Sequence, residues 1–584
     1  MLVYGDHSRH VSARAALDGI GQALRRIAAM PPGIERHGEF VAAFIEAGEL
    51  AQGIADAEFE ARGCDARSPA QDAAMALLVG MAETIRRSWD SRFAEVEPIP
   101  VVALQTLTGL PLPERIVLNQ PEGYAFYALY PESYLHAASA VAGIEHVIGI
   151  RSIGTGLAAL VAASVGAFRP VTVRPTGDPF RREIKLSDDM AAELVGDPAA
   201  RFAIADEGPG FSGSSFGAVA DFLEERGVAS EAIHFFPGHA NDLGPEASPR
   251  HRERWRRAAR HVVDFDELVL RAANPAHRLE NWVSDLTGAA EGPLEDISGG
   301  VWRSRRFAQH SEWPPCHVQQ ERRKFLLRAS GSAWLLKFAG LGWEGARKLE
   351  LARRLHAAGY APEPVGYRHG FLVERWIEHA RPLRPDTGGR PALIARLAAY
   401  IGFRASAFPA AEQGASLPHL LAMARRNAEL GLNGHMAERL ACWQPHLEEM
   451  QGAVHPVCTD NRLHAWEWLQ APDGTMLKTD AVDHHAGHDL IGCQDATWDI
   501  AGACIEFGLS DEEKVDLCQG VERVAQRRVD RRLLAFSKLC YAAFQLGHWS
   551  LAAKALVGFP EEAQRTGAAA ASYARTLEGL LEAG

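Results

Sequence analysis

The sequence predicts an α/β chain followed by an α+β one: a parallel sheet with a helical N-terminal extension, then a two-lobed region that opens in strands and closes in helices. Three observations predict this. Between about 96 and 265, short apolar runs alternate with helical stretches: HVIGI, GLAALVAASVG, VTVRP, FAIAD, SFGAVADFLEERGV, AIHFF. Such alternation needs crossover helices and so argues a parallel sheet. Near residue 300 a second set of strands opens with KFLLR and SAWLLKFAG around a Gly-Ser turn. From EGARKLELARRLHAAG onward the apolar spacing is mostly helical, interrupted by FLVERWIEH.

Four segments follow in order. Residues 1–95 carry apolar positions at helical spacing, as in ALDGIGQALRRIAAM, and no chemistry; they read as a helical cap or interface. Residues 96–265 form the sheet domain. Residues 266–299 are polar and end in Gly-containing sequence, which reads as a linker that would let the two halves fold separately. Residues 300–584 form the second domain with its helical C-terminus.

Composition excludes several classes. Of 584 residues, 47% are hydrophobic and 23% charged, which suits a folded protein rather than a disordered one. The net charge of −13 is wrong for non-specific nucleic-acid binding, which needs a basic face. The eight cysteines are scattered, with no CxxC pair to suggest zinc or a disulfide framework. The start, MLVYGDHSRH, has no signal-peptide pattern, and the longest apolar stretch, about 13 residues from Gly156, is too short to span a bilayer. A cytoplasmic protein is expected, with small-molecule partners, no nucleic acid and no membrane; a homodimer is allowed.

In the first half, the strand Phe202–Ala205 runs into Asp206 and Glu207, then a loop with Gly210, Ser212, Gly213, Ser214 and Ser215, then a helix. Small residues let backbone N–H groups close on a phosphate, and the helix N-terminus adds positive dipole. The serines donate hydroxyl hydrogen bonds. The acidic pair suits ribose hydroxyls and a water-bound Mg²⁺.

This resembles the phosphoribosyl-pyrophosphate motif of type I phosphoribosyltransferases. Arg151, Ser152, Gly154 and Thr155, after a strand, look like that family's pyrophosphate loop. The segment with Arg181, Arg182 and Lys185 looks like its mobile basic loop. His239, Asn241 and Asp242 stand where the family often reads the acceptor, and LNQPEGYAFYALYPESY would supply hood strands. The resemblance implies a catalytic role for Asp206 and Glu207. Pro209 and Phe211 depart from it, since small residues or Thr are usual there.

In the second half, Lys337 lies in a strand and Glu350 follows 13 residues on in a helix, with Glu344 as a competing partner. A strand lysine paired to a helix glutamate holds ATP phosphates in kinases. Val457-Cys-Thr-Asp460 resembles a catalytic loop, with Asp460 acting on the acceptor hydroxyl. Asp480 looks like the Mg²⁺ aspartate, and Gln494-Asp-Ala-Thr-Trp-Asp499 resembles the segment of aminoglycoside and choline phosphotransferases whose last Asp braces that loop. The resemblance therefore implies a bilobal kinase-like domain using ATP with Mg²⁺, or Mn²⁺. Its departures are specific. Cys458 replaces the usual His, the metal-binding Asn is missing, and the Gly-rich loop is reduced to Glu321-Arg-Arg or Ala329-Ser-Gly-Ser. His464, with Glu467 as the lesser candidate, is expected to complete the metal site. The cluster Asp483-His484-His485 with His488-Asp489 admits zinc but reads better as a loop contacting nucleotide or substrate.

The expectation is a bifunctional enzyme, a phosphoribosyltransferase fused to a small-molecule kinase, acting towards a nucleoside-like metabolite, with phosphoribosyl pyrophosphate and ATP as co-substrates. The alternative is a nucleotide-sensing regulator that binds without turnover. The departures around Asp460 favour that alternative; Lys337, Asp460 and Asp480 oppose it. No motif names the acceptor of either half.

Overall fold

The structure, a computed structural model, describes residues 1–5, 8–95, 100–167, 169–210, 212–244, 246–386 and 389–583. The expected boundary at 96 and the departure at Phe211 lie outside the described residues.

The N-terminal helices Ala13–Ala28, Ile34–Arg62 and Pro69–Asp90 form where the apolar spacing says they should. In the first, Ala13, Leu17, Ile20, Leu24 and Ile27 share the buried face. Ser12 and Ser68 accept backbone N–H bonds as N-caps, and Pro69 fits the first turn of its helix.

The sheet of the first half is parallel throughout. Its strands lie side by side as Val171–Val173, His146–Ile150, Phe202–Ala205, Ile233–Phe236 and Ala259–Arg260. In chain order this is 2-1-3-4-5, so the crossovers reverse direction between His146–Ile150 and Phe202–Ala205. In such sheets ligands bind at that switch point, beyond the carboxyl ends of the strands. The chain packs tightly there. A Cβ on Gly149 would stand 2.2 Å from the Gly154 carbonyl oxygen, and one on Gly154 would stand 2.7 Å from that of Ala205.

The expected hood strands are corrected in part. Ile116–Asn119 is a strand, paired antiparallel with Ser8–Val11. The rest folds as the short helices Glu122–Phe126 and Pro131–Ser139, because Pro121 and Pro131 stand at their starts and suit a helix N-terminus.

The second half opens with an antiparallel sheet in the order Glu295–Asp296, Lys324–Ala329, Ser332–Phe338, Phe371–Arg375, Pro364–Arg368. The helix Trp343–Ala357 packs on it. A largely helical lobe follows, built on Arg390–Ala407, Leu417–Gly431, Thr497–Glu506, Arg531–Ala555 and Pro560–Ala583. Among the described residues no helix is long and apolar enough to cross a membrane.

The segment 266–299 is not a solvated tether. Leu279, Trp282 and Val283 are buried in one hydrophobic core together with Leu157, Phe236, Phe325 and Phe371. Leu279, Trp282, Val283 and Leu286 recur at helical spacing, a short apolar stripe hidden in polar sequence. That core contains side chains of both halves.

Candidate functional site

A cavity of about 270 Å³ lies between the strand-rich lobe and the helical lobe of the second half. Lys337, Asp480, Asp483, Glu467, His484 and Arg462 line it, and Tyr4, Phe126 and Tyr127 reach it from the first half.

Lys337 points inward from the strand Ser332–Phe338 with its side chain 5% exposed. Its ammonium bonds both Asp480 and Asp483. Burial alone would lower its pKa; the two carboxylates hold it above the usual lysine range. Asp480, 27% exposed, is the open member of the group. Burial works against its charge, but Lys337 and Lys324 keep it well below the usual carboxylate range.

Lys337 does not pair with Glu350, which is exposed on the far face of the helix Trp343–Ala357. Lys348 faces inward instead, 2.9 Å from Asp483 and 2.7 Å from the Ala339 carbonyl oxygen. Two residues turn a helix by about 200°, so Lys348 and Glu350 cannot share a face. Burial lowers the Lys348 pKa to about 8. Glu344 is buried on the same side and accepts a bond from Gln120 at 3.0 Å.

The loop at Asp460 is held from beneath. The backbone N–H groups of Asp460 and Asn461 donate to Asp499 at 2.8 and 2.9 Å, which is the expected brace. Burial, then the neighbouring Asp460, raises Asp499 to about 6. The Asp460 side chain, however, is fully enclosed. It accepts from the Tyr400 hydroxyl and lies 3.3 Å from Lys478 and 3.9 Å from Arg404. It does not line the cavity and cannot touch an acceptor in this arrangement. His484 lines the cavity and rests on Asp460, its Nδ1 being 3.2 Å from the backbone oxygen and 3.7 Å from Oδ1.

His464 also departs from expectation. It turns its Nδ1 to Glu506 at 3.1 Å and stacks on Trp466 with ring centroids 4.3 Å apart. Asp460, Glu467 and His484 come together in its stead, with ligand atoms within 4.8 Å of one another. Lys478 already serves that trio as its cation, 2.8 Å from Glu467. Asp480, the more exposed carboxylate, offers oxygens of the kind Mg²⁺ prefers, while Asp483 is also engaged by Lys348 and Arg322.

The phosphate-loop candidates separate. Ser330 and Gly331 form the turn between two strands and do not line the cavity, whereas Glu321 and Arg322 do. They end residues 297–323, the segment that joins the strands Glu295–Asp296 and Lys324–Ala329.

In the first half, the acidic and small-residue loops converge at the switch point. The Glu207 carboxylate accepts from Gly123 N–H at 3.0 Å. Burial pushes Asp206 up to about 7 and Glu207 up to about 8. A Cβ on Gly208 would be 3.0 Å from His239 Nε2, so the expected acceptor loop lies against the acidic one, with Asn241 and Asp242 exposed beyond it. Gly210 and Gly213 both take positive φ, and Ser215 stands in the first turn of the following helix. The Ser212 and Ser214 hydroxyls donate to the Pro179 carbonyl, at 3.2 and 2.7 Å, which ties the loop to the hairpin Thr176–Asp178/Arg181–Glu183. Arg181 and Lys185 are exposed there, and Arg182 donates to Gly177.

Arg151 is not free for pyrophosphate. Its buried guanidinium is engaged by Asp56 at 2.9 Å, by Asp65 and by Thr172. Both aspartates come from the N-terminal segment, so that segment is more than a cap. Ser152 accepts from Asn119 at 3.1 Å. Gly154 opens the following helix, and Thr155 Oγ1 is buried without a hydrogen-bond partner.

Sequence reasoning missed Lys348 and the resting of His484 on Asp460. The stripe Glu344, Lys348, Leu351, Leu355 was a readable signal for the first. Nothing local signals the second.

No protein-family model matches the chain, and no curated protein matches it. Solved structures to which it is similar include a choline kinase from Streptococcus pneumoniae, at 15% identity over 43% of this chain and 89% of that one, with a TM-score of 0.32. A choline/ethanolamine kinase family protein from Mesorhizobium loti is 15% identical over 53% and 95% of the chains, with a TM-score of 0.34. A putative aminoglycoside phosphotransferase from Ralstonia eutropha is 15% identical over 52% and 97%, with a TM-score of 0.34. Likeness at this level stands beside the geometry and adds no residue role to it.

Proposed function

We propose that the second half is a small-molecule phosphotransferase that uses ATP. The observation that carries this reading is Lys337, enclosed in the interlobe cavity and bonded to both Asp480 and Asp483. An enclosed ammonium beside two ionised carboxylates is a site for phosphate oxygens and a divalent cation. Asp480 and Asp483 would hold Mg²⁺, which supplies charge neutralisation on the transferred group. His484, which lines the cavity and rests on Asp460, would take the acceptor hydroxyl's proton. Arg462, fixed by Asp489 at 2.7 Å, adds a positive wall.

The first half, in this reading, binds a phosphorylated ribose at the switch point of its sheet. The topology and the convergence of Asp206, Glu207 and the Ser212–Ser215 loop support it. With Arg151 engaged elsewhere, phosphate recognition falls to backbone N–H groups and to Arg181 and Lys185.

One observation favours a second reading, binding without turnover: the Asp460 carboxylate is sealed under Tyr400, Lys478 and Arg404. The experiment is calorimetry with ATP–Mg²⁺ and with phosphoribosyl pyrophosphate, followed by assays for ADP and pyrophosphate over an acceptor panel. ADP formation dependent on an acceptor supports the enzyme. ATP binding with no ADP from any acceptor supports the sensor, and no ATP binding overturns both.

A further inference from the structure

Away from the cleft, His37, Glu132 and His369 meet inside the core. Each comes from a different part of the chain. His37 is on the helix Ile34–Arg62, Glu132 is in the first turn of Pro131–Ser139, and His369 is in the tight turn between Pro364–Arg368 and Phe371–Arg375. Their exposures are 2%, 0% and 2%. One nitrogen or oxygen from each lies within 4.8 Å of the others. His37 Nε2 is 2.7 Å, and His369 Nε2 3.1 Å, from Glu132 Oε1.

We propose that these three side chains bind one structural zinc ion, which fastens the N-terminal helices, the sheet domain and the strand-rich lobe together. The proposal does not rest on the phosphotransfer reading.

Three features support it. Zinc takes imidazole nitrogens and carboxylate oxygens at about 2.0–2.2 Å, and the three donors lie within 4.8 Å of one another, with both imidazole nitrogens already beside the same carboxylate oxygen. The cluster is also under-satisfied as a hydrogen-bonded group. Among the described residues, Glu132 Oε2 and His369 Nδ1 are buried without hydrogen-bond partners, and the contacts of the Glu132 carboxylate come from the two imidazoles.

Finally, the surroundings orient and dry the site. Ser88 Oγ lies 2.9 Å from His37 Nδ1 and fixes that ring, as outer partners of metal-bound imidazoles do. Phe93 stands 4.8 Å from the His37 ring, and Tyr130 and Trp282 stand 5.1 and 5.2 Å from the His369 ring. His37 also lines a small recess with Gly33, Ser88 and Phe93.

The test uses the full-length chain, purified without a metal-affinity tag, and reads elemental composition by mass spectrometry. About one zinc per chain is expected, with a lowered melting temperature after chelation that zinc restores. Cobalt exchanged into the site should give visible absorption that Glu132→Gln loses. Glu132→Gln keeps the volume and the hydrogen-bonding capacity, and is expected to reduce bound zinc to about a tenth or less. His484→Ala, in the cleft, is expected to retain it. A wild-type chain that purifies without metal and whose melting is unmoved by chelator or zinc overturns the proposal. So does zinc retained in Glu132→Gln, or zinc lost in His484→Ala, which would move the ion to the cleft.

Discussion

Lys337 and Asp480 are 143 residues apart in the chain and bonded in the cleft, and the residue-scale predictions start from that contact. Lys337→Met removes the ammonium expected to meet ATP phosphates and leaves Asp480 and Asp483 facing each other. ADP formation is expected to fall at least ~10²-fold, a typical loss for one preorganised charge at a transition state. Circular dichroism controls for folding. The two candidate histidines should separate cleanly. His484→Gln removes the cavity-facing base and is expected to lower kcat by roughly 10²–10⁴-fold. His464 also lines the cavity but is turned to Glu506, so His464→Gln should leave metal dependence as in wild type. Equal losses in both variants would return His464 to the metal site.

At the scale of single elements, the strand Phe202–Ala205 delivers Asp206 and Glu207 into a half-buried corner, and this gives a pH dependence with a defined sign. Their folded pKa values, about 7 and about 8, lie above the ordinary values of 3.8 and 4.5. The folded chain therefore holds protons that the unfolded chain has released. The pair's contribution to stability is greatest at acid pH and declines as pH rises from about 4 to about 8. Melting curves of wild type and of Asp206→Asn/Glu207→Gln, compared between about pH 5 and pH 8, should converge at the acid end and separate in the double variant's favour at the alkaline end. The segment 279–286 allows a second test. Trp282 is 1% exposed and packs on Trp89 and His369, so Trp282→Ala should cost about 3–5 kcal/mol in denaturant unfolding. A change under about 1 kcal/mol would mean the segment is a tether after all.

For the whole molecule, the shared core changes what fragments should do. Phe325, Leu336, Phe371 and Val373 of the strand-rich lobe are buried with Leu157 and Phe236 of the parallel sheet. At the other end, Val3 joins the core of the helical lobe, and Leu2 N–H donates to Asn427 at 2.7 Å. Fragments 1–265 and 300–584 would each expose one side of these surfaces. Neither is expected to stay soluble and monomeric alone, while co-expression should recover a complex on gel filtration. Two independently soluble, non-associating fragments would overturn this.

Local patterns were enough for much of the architecture. Alternating short apolar runs gave the strand–helix crossovers of the sheet, because burial on both faces requires that composition. The loops at Asp206 and Asp460 could be picked out because each sets its acidic residue in a short local pattern, whereas the Asp499 contact, 39 residues away, was expected only from the resemblance. The partners of Lys337 could not be picked out. A helix presents only one face, and Trp343–Ala357 turns Lys348 rather than Glu350 inward once its apolar stripe has docked. Nor could the sequence show that Arg151 is engaged by Asp56 and Asp65, that Lys478 sits under Asp460, or that His37, Glu132 and His369 meet. Those contacts join segments far apart in the chain, and no periodicity records them. They exist because packing the two halves on one core brings buried charges within reach of one another, and a buried charge must be paired wherever the fold leaves it.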